Sequence, residues 1–207
     1  MITFVYPVKG RATEASNKVK MTVVGDDWKT EYDMTIGSNG FVSESYVKTT
    51  SSSPKDEEEG EWAFSYDAQG HLTNARSRYT DEQGSGKYSV TLQWKDDNII
   101  QTFKANGSWD NYKYMYTSSD YPTAIENKGA IFMFEEIYPI EVYDFEWVYY
   151  AGMLGKGPKN LAVARSEYDD DEVTDFIWKL NQNGYPTMFD VKDDDHPGSS
   201  TVKFTWD

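Results

Sequence analysis

Residues 62–76, WAFSYDAQGHLTNAR, contain the pattern that recurs through the chain. Their first five residues alternate aromatic with small side chains, which is the period of a strand with one buried face. Residues 67–70 have turn chemistry, because Asp bonds nearby backbone groups and Gly accepts a positive φ. Leu72 then restarts an apolar side, so the stretch predicts a β-hairpin.

The same unit recurs along the sequence, with an alternating apolar strand, a polar turn and an apolar restart. The turns fall at Gly40, Gly70, Asn98, Asp120 and Gly184. Spacings of about 20–30 residues are typical of repeat architectures, although any all-β protein also contains hairpins. The wide gap before the last turn predicts an insertion or degenerate copies, and a final strand at residues 202–206 has no returning partner.

These repeats predict an all-β fold, an antiparallel up-and-down meander that forms a barrel or a strongly curved sheet of repeated hairpins. Residues 131–155 break the pattern. Apolar residues recur there at helical spacing, at Ile140, Tyr143, Trp147, Ala151 and Leu154. They predict one short helix near residues 141–151, with a strand through 144–150 as the alternative. The length predicts a single β-barrel-like domain over residues 1–207.

The polar residues 48–60, KTTSSSPKDEEEG, predict a long loop between hairpins rather than an interdomain linker. Alternate connections of an antiparallel meander share one end. The tight turns are therefore expected at one end, and the longer loops at the other (residues 51–59, 81–87, 106–111 and 192–200). Loops on a scaffold often carry function, so the long-loop end is the hypothesised working end.

Composition restricts the classes of partner. The net charge of −15 argues against nucleic acid and against an anionic membrane surface, and it favours cations or neutral ligands. The sequence has no cysteine, which excludes disulfides and thiolate catalysis. No apolar run approaches the ~18 residues of a membrane helix. No signal peptide is recognisable, so an exported form would have lost its leader.

Two features argue against a barrel that spans a membrane. The alternating strand cores are about 5–7 residues long, whereas spanning strands need about 9–11. Asn74, Arg76 and Arg78 are expected to share a face with Leu72, and an arginine pair is costly on a lipid face. The prediction is a sheet in water with its apolar faces turned inward, and its oligomeric state is left open.

Trp109, Asn111 and Tyr112, together with Trp28, form the candidate ligand-binding set, because they lie in or beside predicted loops. An exposed aromatic ring beside amide groups can hold a neutral sugar by stacking and hydrogen bonding. The alternative is that Trp109 covers the barrel mouth.

No catalytic residue, metal site or cofactor is predicted. His71 and His196 are isolated, and the acidic runs at residues 26–27, 169–172 and 193–195 are typical of solvated turns with at most weak Ca²⁺ binding. The sequence has neither a phosphate-binding loop nor a nucleophile elbow. The two carboxylates of a glycoside hydrolase are not recognisable in a sequence, because their ~5–9.5 Å separation is spatial.

Residues 150–161, YAGMLGKGPKNL, are similar to a segment of a bacterial domain family of unknown function with a porin-like β-barrel fold. The turns at residues 66–72 and 183–187 resemble hairpins of that family, and less specifically they resemble YD-type repeats. The resemblance implies a secreted or lipid-anchored envelope protein of Gram-negative gut bacteria, either periplasmic or anchored to the outer membrane at the cell surface. It implies no catalytic residues.

Three functional hypotheses follow. The first is a non-enzymatic envelope protein that binds a neutral glycan or a small hydrophobic ligand. The second is a glycoside hydrolase with two unidentified carboxylates, and the third is a purely structural interaction module. An open cavity lined by aromatic rings favours the first, a pair of carboxylates with one desolvated favours the second, and an interior filled by side chains favours the third.

Overall fold

The computed structural model describes residues 1–6, 17–53, 57–82, 84–105, 111–134, 137–138, 140, 144–167, 173–192 and 201–206. Its strands are β1 (Ile2–Val5), β2 (Lys18–Val24), β3 (Trp28–Ile36), β4 (Val42–Ser51), β5 (Glu58–Tyr66), β6 (Leu72–Asp81), β7 (Gly84–Lys95), β8 (Asn98–Ala105), β9 (Tyr112–Met115), β10 (Ile125–Glu126), β11 (Asn160–Leu161), β12 (Ala164–Glu167), β13 (Val173–Leu180), β14 (Pro186–Lys192) and β15 (Thr201–Lys203). A short helix, α1 (Phe145–Tyr150), lies between β10 and β11.

Thirteen strands form one antiparallel sheet in meander order, and β10 pairs with β11 in a separate two-stranded sheet. β1 and β15 are the edges of the large sheet, and no pairing joins them within the described residues. The all-β meander is therefore confirmed in its open form rather than as a closed barrel.

The chain divides into two compact units. Unit 1 comprises Met1–Val90 and Val142–Gly155, and unit 2 comprises Thr91–Glu141 and Lys156–Asp207. Each unit thus takes strands of the meander and part of the long segment between β9 and β12. The single domain over residues 1–207 stays a prediction.

The repeated hairpin is confirmed at atomic detail in three turns, at residues 37–41, 67–71 and 181–185. In each turn the first residue donates its N–H to the carbonyl of the fifth, and the glycine at the fourth position donates to the carbonyl of the first. Those glycines, Gly40, Gly70 and Gly184, have φ of 84°, 90° and 81°. This left-handed conformation is one that glycine adopts without steric cost.

A β-bulge follows each of these turns. The pairing shifts by one residue, so that Ser43, Thr73 and Thr187 are the extra residues of β4, β6 and β14. Their hydroxyls donate to the carbonyls of Thr35, Ser65 and Lys179, at 3.1–3.2 Å. The three hairpins therefore share their backbone and the hydroxyl that bridges the bulge.

The bulge corrects one expectation about faces. Because Thr73 is the extra residue, Leu72 lies on the buried face, whereas Arg76 and Arg78 are exposed on the opposite one. The strand-length argument was also wrong, since β4, β6 and β7 have 10, 10 and 12 residues. The full length was not recognised in the sequence because the ends of these strands are polar and lack the apolar alternation.

The other two predicted turns differ from the template. Residues 95–98 form a tight turn, with φ of 51° at Asp96 and 60° at Asp97. The predicted hairpin after Tyr112 was wrong, because β9 pairs with β8 and with β12, about 50 residues further along the chain. The gap before the last repeat is therefore an insertion, residues 116–163, and β12 returns antiparallel to β9, so strand direction is preserved.

The predicted loop at residues 48–60 was too long, since β4 continues to Ser51 and β5 begins at Glu58. The connection after β6 is also shorter than expected, because β7 begins at Gly84. In unit 1, Ser51, Glu58 and Asp81 lie at the end of the strands opposite the turns 37–41 and 67–71. This arrangement is the one that antiparallel pairing requires.

The helix within residues 141–151 is confirmed as α1, and residues 141–143 lie outside the described chain. Its buried face is not the predicted one. Phe145, Val148 and Tyr149 are buried, whereas Trp147 is 47% exposed. Six residues with five aromatic or apolar side chains allow several faces, and packing against unit 1 selected one of them.

Candidate functional site

In unit 1, helix α1 packs on one face of the sheet, which is named here the inner face. The Phe145 ring lies 4.9–5.5 Å from the rings of Tyr32, Trp62 and Phe64. The Tyr32 hydroxyl donates to Asp144 Oδ2 at 2.8 Å. The centre of the inner face is therefore filled by aromatic side chains.

The inner face is closed at the end that carries the turns 37–41 and 67–71. Val42, Leu72 and Ala75 are fully buried there. The Val42 N–H donates to the carbonyl of Met153 at 2.8 Å, just after α1. Gly155, with φ of 87°, approaches so closely that a Cβ would lie 3.0 Å from the Gly70 carbonyl oxygen. Even a methyl group would be tight at that contact, and the positive φ disfavours any residue with a Cβ.

The opposite end of the inner face is polar. Strand register aligns Thr30 with Thr49 and Thr49 with Glu58, and the register of β5 with β6 continues the row to Asp81. We name this row, residues Thr30, Thr49, Glu58 and Asp81, the polar row. Thr30 is buried, whereas the other three are half-buried. Solvent therefore reaches an inward-facing line of hydroxyls and carboxylates.

Aromatic rings border the polar row. Tyr79 is aligned with Gly60 in the next row inward, and its ring occupies the space beside Gly86, where a Cβ would lie 2.2 Å from Tyr79 Cζ. Tyr88 packs against Trp62 at 5.8 Å. The two glycines thus leave room for a half-buried tyrosine ring directly beside the carboxylates.

Burial and charge set the protonation of this end. Burial raises the pKa of Glu58, and the Asp81 carboxylate raises that pKa further. Burial, and then the charge of Asp144, also raises the pKa of Tyr32 far above its ordinary range, so this hydroxyl stays a neutral donor. The row therefore presents hydroxyl and carboxyl groups, and the pKa of the Glu58 carboxyl lies above its ordinary value.

One predicted site residue lies at this end. Trp28 is the first residue of β3, two residues before Thr30, so its side chain points to the same face of the sheet as Thr30. It is 37% exposed. Its ring covers Gly25, where a Cβ would lie 2.3 Å from Nε1. The Trp28 ring is thus partly exposed next to the polar row, and it packs against Gly25.

The other predicted residues belong to unit 2. Asn111 Oδ1 accepts from the Lys104 N–H at 3.2 Å, and the Tyr112 ring lies 4.9 Å from Arg165 Cζ. Both contacts hold strand ends and side chains in place. Trp109 lies outside the described residues, so the structure brings together only the neighbours Asn111 and Tyr112.

Residues of the polar row were missed because residues 48–60 were read as a loop. A signal was present, since Glu58, Gly60, Trp62 and Phe64 share the period of two of one strand face. Continuing the alternation backwards from the aromatic residues would have placed Glu58 inward.

Two other candidates have structural roles or lie outside the described chain. His71 is 5% exposed, and its Nδ1 lies 2.9 Å from Asp67 Oδ2 within one hairpin turn. Among the described residues, no group of three or more acidic or histidine side chains could hold a metal ion. His196 and residues 169–172 and 193–195 fall outside the described chain.

In unit 2 the side chains of the insertion pack against the strands of the large sheet and form a core with them. Between residues 131 and 140 of the insertion, seven described side chains are at most 4% exposed: Ile131, Phe132, Met133, Phe134, Ile137, Tyr138 and Ile140. Phe132 lies 6.5 Å from the Trp94 ring, and Tyr138 lies 4.8 Å from Tyr114. This core resembles the filled interior expected of the third hypothesis.

Comparison with known proteins adds the family. Residues 1–188 match the family described as Domain of unknown function (DUF4595) with porin-like fold. The chain belongs to this family. A crystal structure of a porin-like protein from Bacteroides uniformis ATCC 8492 is similar, with a TM-score of 0.43 and 13% identity, over 89% of this chain and 92% of that chain. No curated protein matches.

Within the described residues, none of the helical structure is long and apolar enough to cross a bilayer.

Proposed function

We propose that this protein is a non-enzymatic binding protein of the cell envelope, and that it holds a neutral glycan at the polar end of unit 1. The observation that carries the proposal is the polar row, in which hydroxyl and carboxyl groups face inward yet remain half-exposed. Elsewhere on the inner face of the same strands, Met34, Trp62, Phe64 and Leu72 are buried and apolar. A polar end on an otherwise apolar face is typical of a ligand site.

The chemistry of the row suits a sugar better than a charged ligand. Sugar hydroxyls donate to carboxylates such as Asp81 and exchange hydrogen bonds with the Thr49 hydroxyl. The rings of Trp28 and Tyr79 offer apolar faces for the C–H side of a pyranose. An anionic ligand would be repelled by these carboxylates and by the net charge of −15.

The exposed face of unit 1 supports a protein surrounded by water rather than lipid. Charged side chains recur there on neighbouring strands, including Lys20, Asp33, Glu61, Arg76 and Arg78. Lys20 Nζ lies 2.7 Å from Asp33 Oδ1, which is a pair suited to water. The location that we propose is periplasmic or anchored to the outer membrane, and the porin-like fold of the family supports it. A small hydrophobic ligand is a less fitting occupant of the polar row.

Calorimetric titration with cellohexaose, chitohexaose, maltohexaose and xylohexaose tests the proposal. Glu58→Gln is expected to weaken binding about tenfold, because a charged or charge-assisted hydrogen bond contributes about 1.5 kcal/mol or more. Trp28→Ala is expected to weaken it by a similar factor through lost stacking. Glu61→Gln, three residues along β5 on the exposed face, is the matched control. No binding of any hexaose, or equal losses for Glu58→Gln and Glu61→Gln, would contradict the site.

A second candidate function is favoured by the register that puts Glu58 and Asp81 at the same end of neighbouring strands, where burial and the Asp81 charge raise the pKa of Glu58. A protonated carboxyl group next to a carboxylate is the pair that a glycoside hydrolase uses. Reducing-sugar release from the same hexaoses decides between the two. Hydrolysis that Glu58→Gln abolishes while binding persists would establish the enzyme, and its absence would support the binding protein. Trp109, Asn111 and Tyr112 stay a predicted ligand contact.

A further inference from the structure

Unit 2 carries a pair of exposed aromatic rings beside the turn 181–185. Tyr185 is 37% exposed and Trp206 is 40% exposed, and their ring centroids lie 5.4 Å apart. Trp206 lies beyond the residues matched by the family, 1–188. We name Tyr185 and Trp206 the aromatic platform.

The Trp206 ring is held in place although it is exposed. Its Nε1–H donates to the carbonyl of Pro186, directly after the turn. The Cη2–Cζ2 edge of the ring lies against Gly129, where a Cβ would be 2.3 Å from Cη2. The Trp206 ring is stacked on the Phe204 ring, with 6.4 Å between the ring centroids and 22° between the ring planes. An exposed indole fixed by a hydrogen bond and a backbone surface loses little entropy when a ligand stacks on it.

The backbone under Trp206 is itself rigid. Asn127, which is 9% exposed, donates from Nδ2 to the carbonyls of Ile131 and Pro158, and its Oδ1 accepts from the Ile131 N–H. These bonds close residues 127–131 into a fixed loop around Gly129. Lys128 Nζ donates to the Asn183 carbonyl at 2.8 Å, which ties this loop to the turn.

Polar groups surround the platform. Gln182 and Asn183 are exposed residues of the turn that ends in Tyr185, and Lys128, also exposed, is bonded to that turn. Two rings with a rim of amide and ammonium donors match the C–H face and the hydroxyls of one pyranose. The platform is too small for a stable protein interface, which buries about 1,200–2,000 Å².

We propose that the aromatic platform is a second glycan-binding surface, which takes a neutral sugar ring by stacking on Trp206 and Tyr185. Gly129 acts as a positioning residue, since the absence of a Cβ leaves room for the edge of the indole against the loop. The ligand class follows the proposed function of the polar row, but different residues, all of unit 2, carry this site.

Calorimetry and indole N–H resonances, with the same four hexaoses as probes, test the platform. The Trp206 signal is assigned by its loss in Trp206→Phe. Binding is expected to shift this signal, and Trp206→Ala to weaken the platform step about tenfold, which corresponds to about 1.4 kcal/mol. Gly129→Ala is expected to weaken it as well while leaving the indole present, which a merely structural role of Gly129 would not predict. Trp147→Ala, an indole 47% exposed in unit 1, is the control.

The outcomes separate the two sites. Loss of one step in Trp206→Ala, with the step sensitive to Glu58→Gln retained, supports the platform. Binding that depends on Glu58 but is unchanged in Trp206→Ala and Gly129→Ala overturns the platform and leaves the polar row intact. An unshifted Trp206 resonance with every hexaose also overturns it. If Trp206→Ala fails to fold by circular dichroism, Gly129→Ala and Tyr185→Ala decide by the same measurements.

Discussion

The turns at residues 67–71 and 181–185 have one backbone and two chemistries. Both close with the same pair of backbone bonds, and in both the Oδ1 of the first residue accepts from the N–H groups of the third and fifth residues. The first turn has Asp67 and His71, and the second has Asn181 and Tyr185. His71 is 5% exposed, whereas Tyr185 is 37% exposed.

The difference shows which positions the hairpin template fixes. The glycine and the bulge residue are required by backbone geometry, whereas the first and fifth positions accept whatever their surroundings need. In unit 1 the turn 67–71 lies against the backbone of Gly155, and its buried His71 pairs with the half-buried Asp67. In unit 2 the atoms nearest to a Cβ at Gly184 are those of the flexible Lys128 side chain, and Tyr185 stays exposed.

The largest effect is expected from a substitution at Gly155, which makes its close contact with the first turn, 67–71. Gly155→Ala is expected to lower the free energy of unfolding by about 3 kcal/mol, from left-handed strain and from the clash with the Gly70 carbonyl. Gly152→Ala is the matched control, because Gly152 has φ of 77° but nothing within 4 Å of a Cβ. It is expected to cost about 1–2 kcal/mol. Equal losses in urea denaturation would show that the contact contributes nothing.

Asp67→Asn gives the first turn the residue of the second. The change keeps the bonds to the backbone but removes the charge facing His71, and we expect a loss of about 1.5 kcal/mol at neutral pH. Asn39→Asp, at an exposed position in the third turn of this type, is the control. A loss no larger than the effect of the control would mean that the Asp67–His71 pair is only a packing contact.

The same variant carries a pH signature. Burial raises the pKa of Asp67, but hydrogen bonds from His71 and Gln69 outweigh burial and hold the pKa below its ordinary 3.8. A lowered pKa in the folded state contributes stability that is complete above pH 3.8 and is lost as the pH falls through the folded pKa. The stability difference between wild type and Asp67→Asn should therefore shrink only below that pH. A constant difference from pH 2 to 7, measured by urea denaturation, would contradict the assignment.

The two turns also show what the sequence predicts and what it does not. Gly70 and Gly184 with their alternating strands were sufficient to predict both hairpins, because turn chemistry and the period of two are local signals. The bulge at Thr73 was not predicted, and it moved Leu72 to the opposite face from Arg76. The inward position of Glu58 was not predicted, because the polar residues around it were interpreted as a loop. The pairing of β9 with β12 was not predicted either, because it depends on contacts between residues distant in sequence. The exposure of Trp147 was decided by tertiary packing that no local pattern contains.

A smaller effect tests whether the bulge is shared. Thr73→Val and Thr187→Val each remove the hydroxyl that bridges to the preceding strand, at 3.1 Å in both turns. Each is expected to cost about 0.5–1 kcal/mol, and the two losses should agree within about 0.5 kcal/mol. Thr22→Val, in a regular part of β2, serves as control. A loss confined to one turn in thermal unfolding would show that the repeated geometry is not equally stabilised.

The smallest effect comes from the reciprocal exchange, Asn181→Asp with Tyr185→His, which gives the second turn the residues of the first. Because this turn is exposed, an ion pair formed there is screened by water, and the free energy of unfolding at pH 7 should change by less than about 0.5 kcal/mol. The exchange also removes one ring of the aromatic platform while leaving the turn folded. Asn181→Asp alone keeps the ring and is the control for hexaose binding. A stability gain well above 0.5 kcal/mol would show that an Asp–His pair stabilises this turn even when it is exposed. The stabilisation by Asp67 and His71 in unit 1 would then not depend on their position beside Gly155.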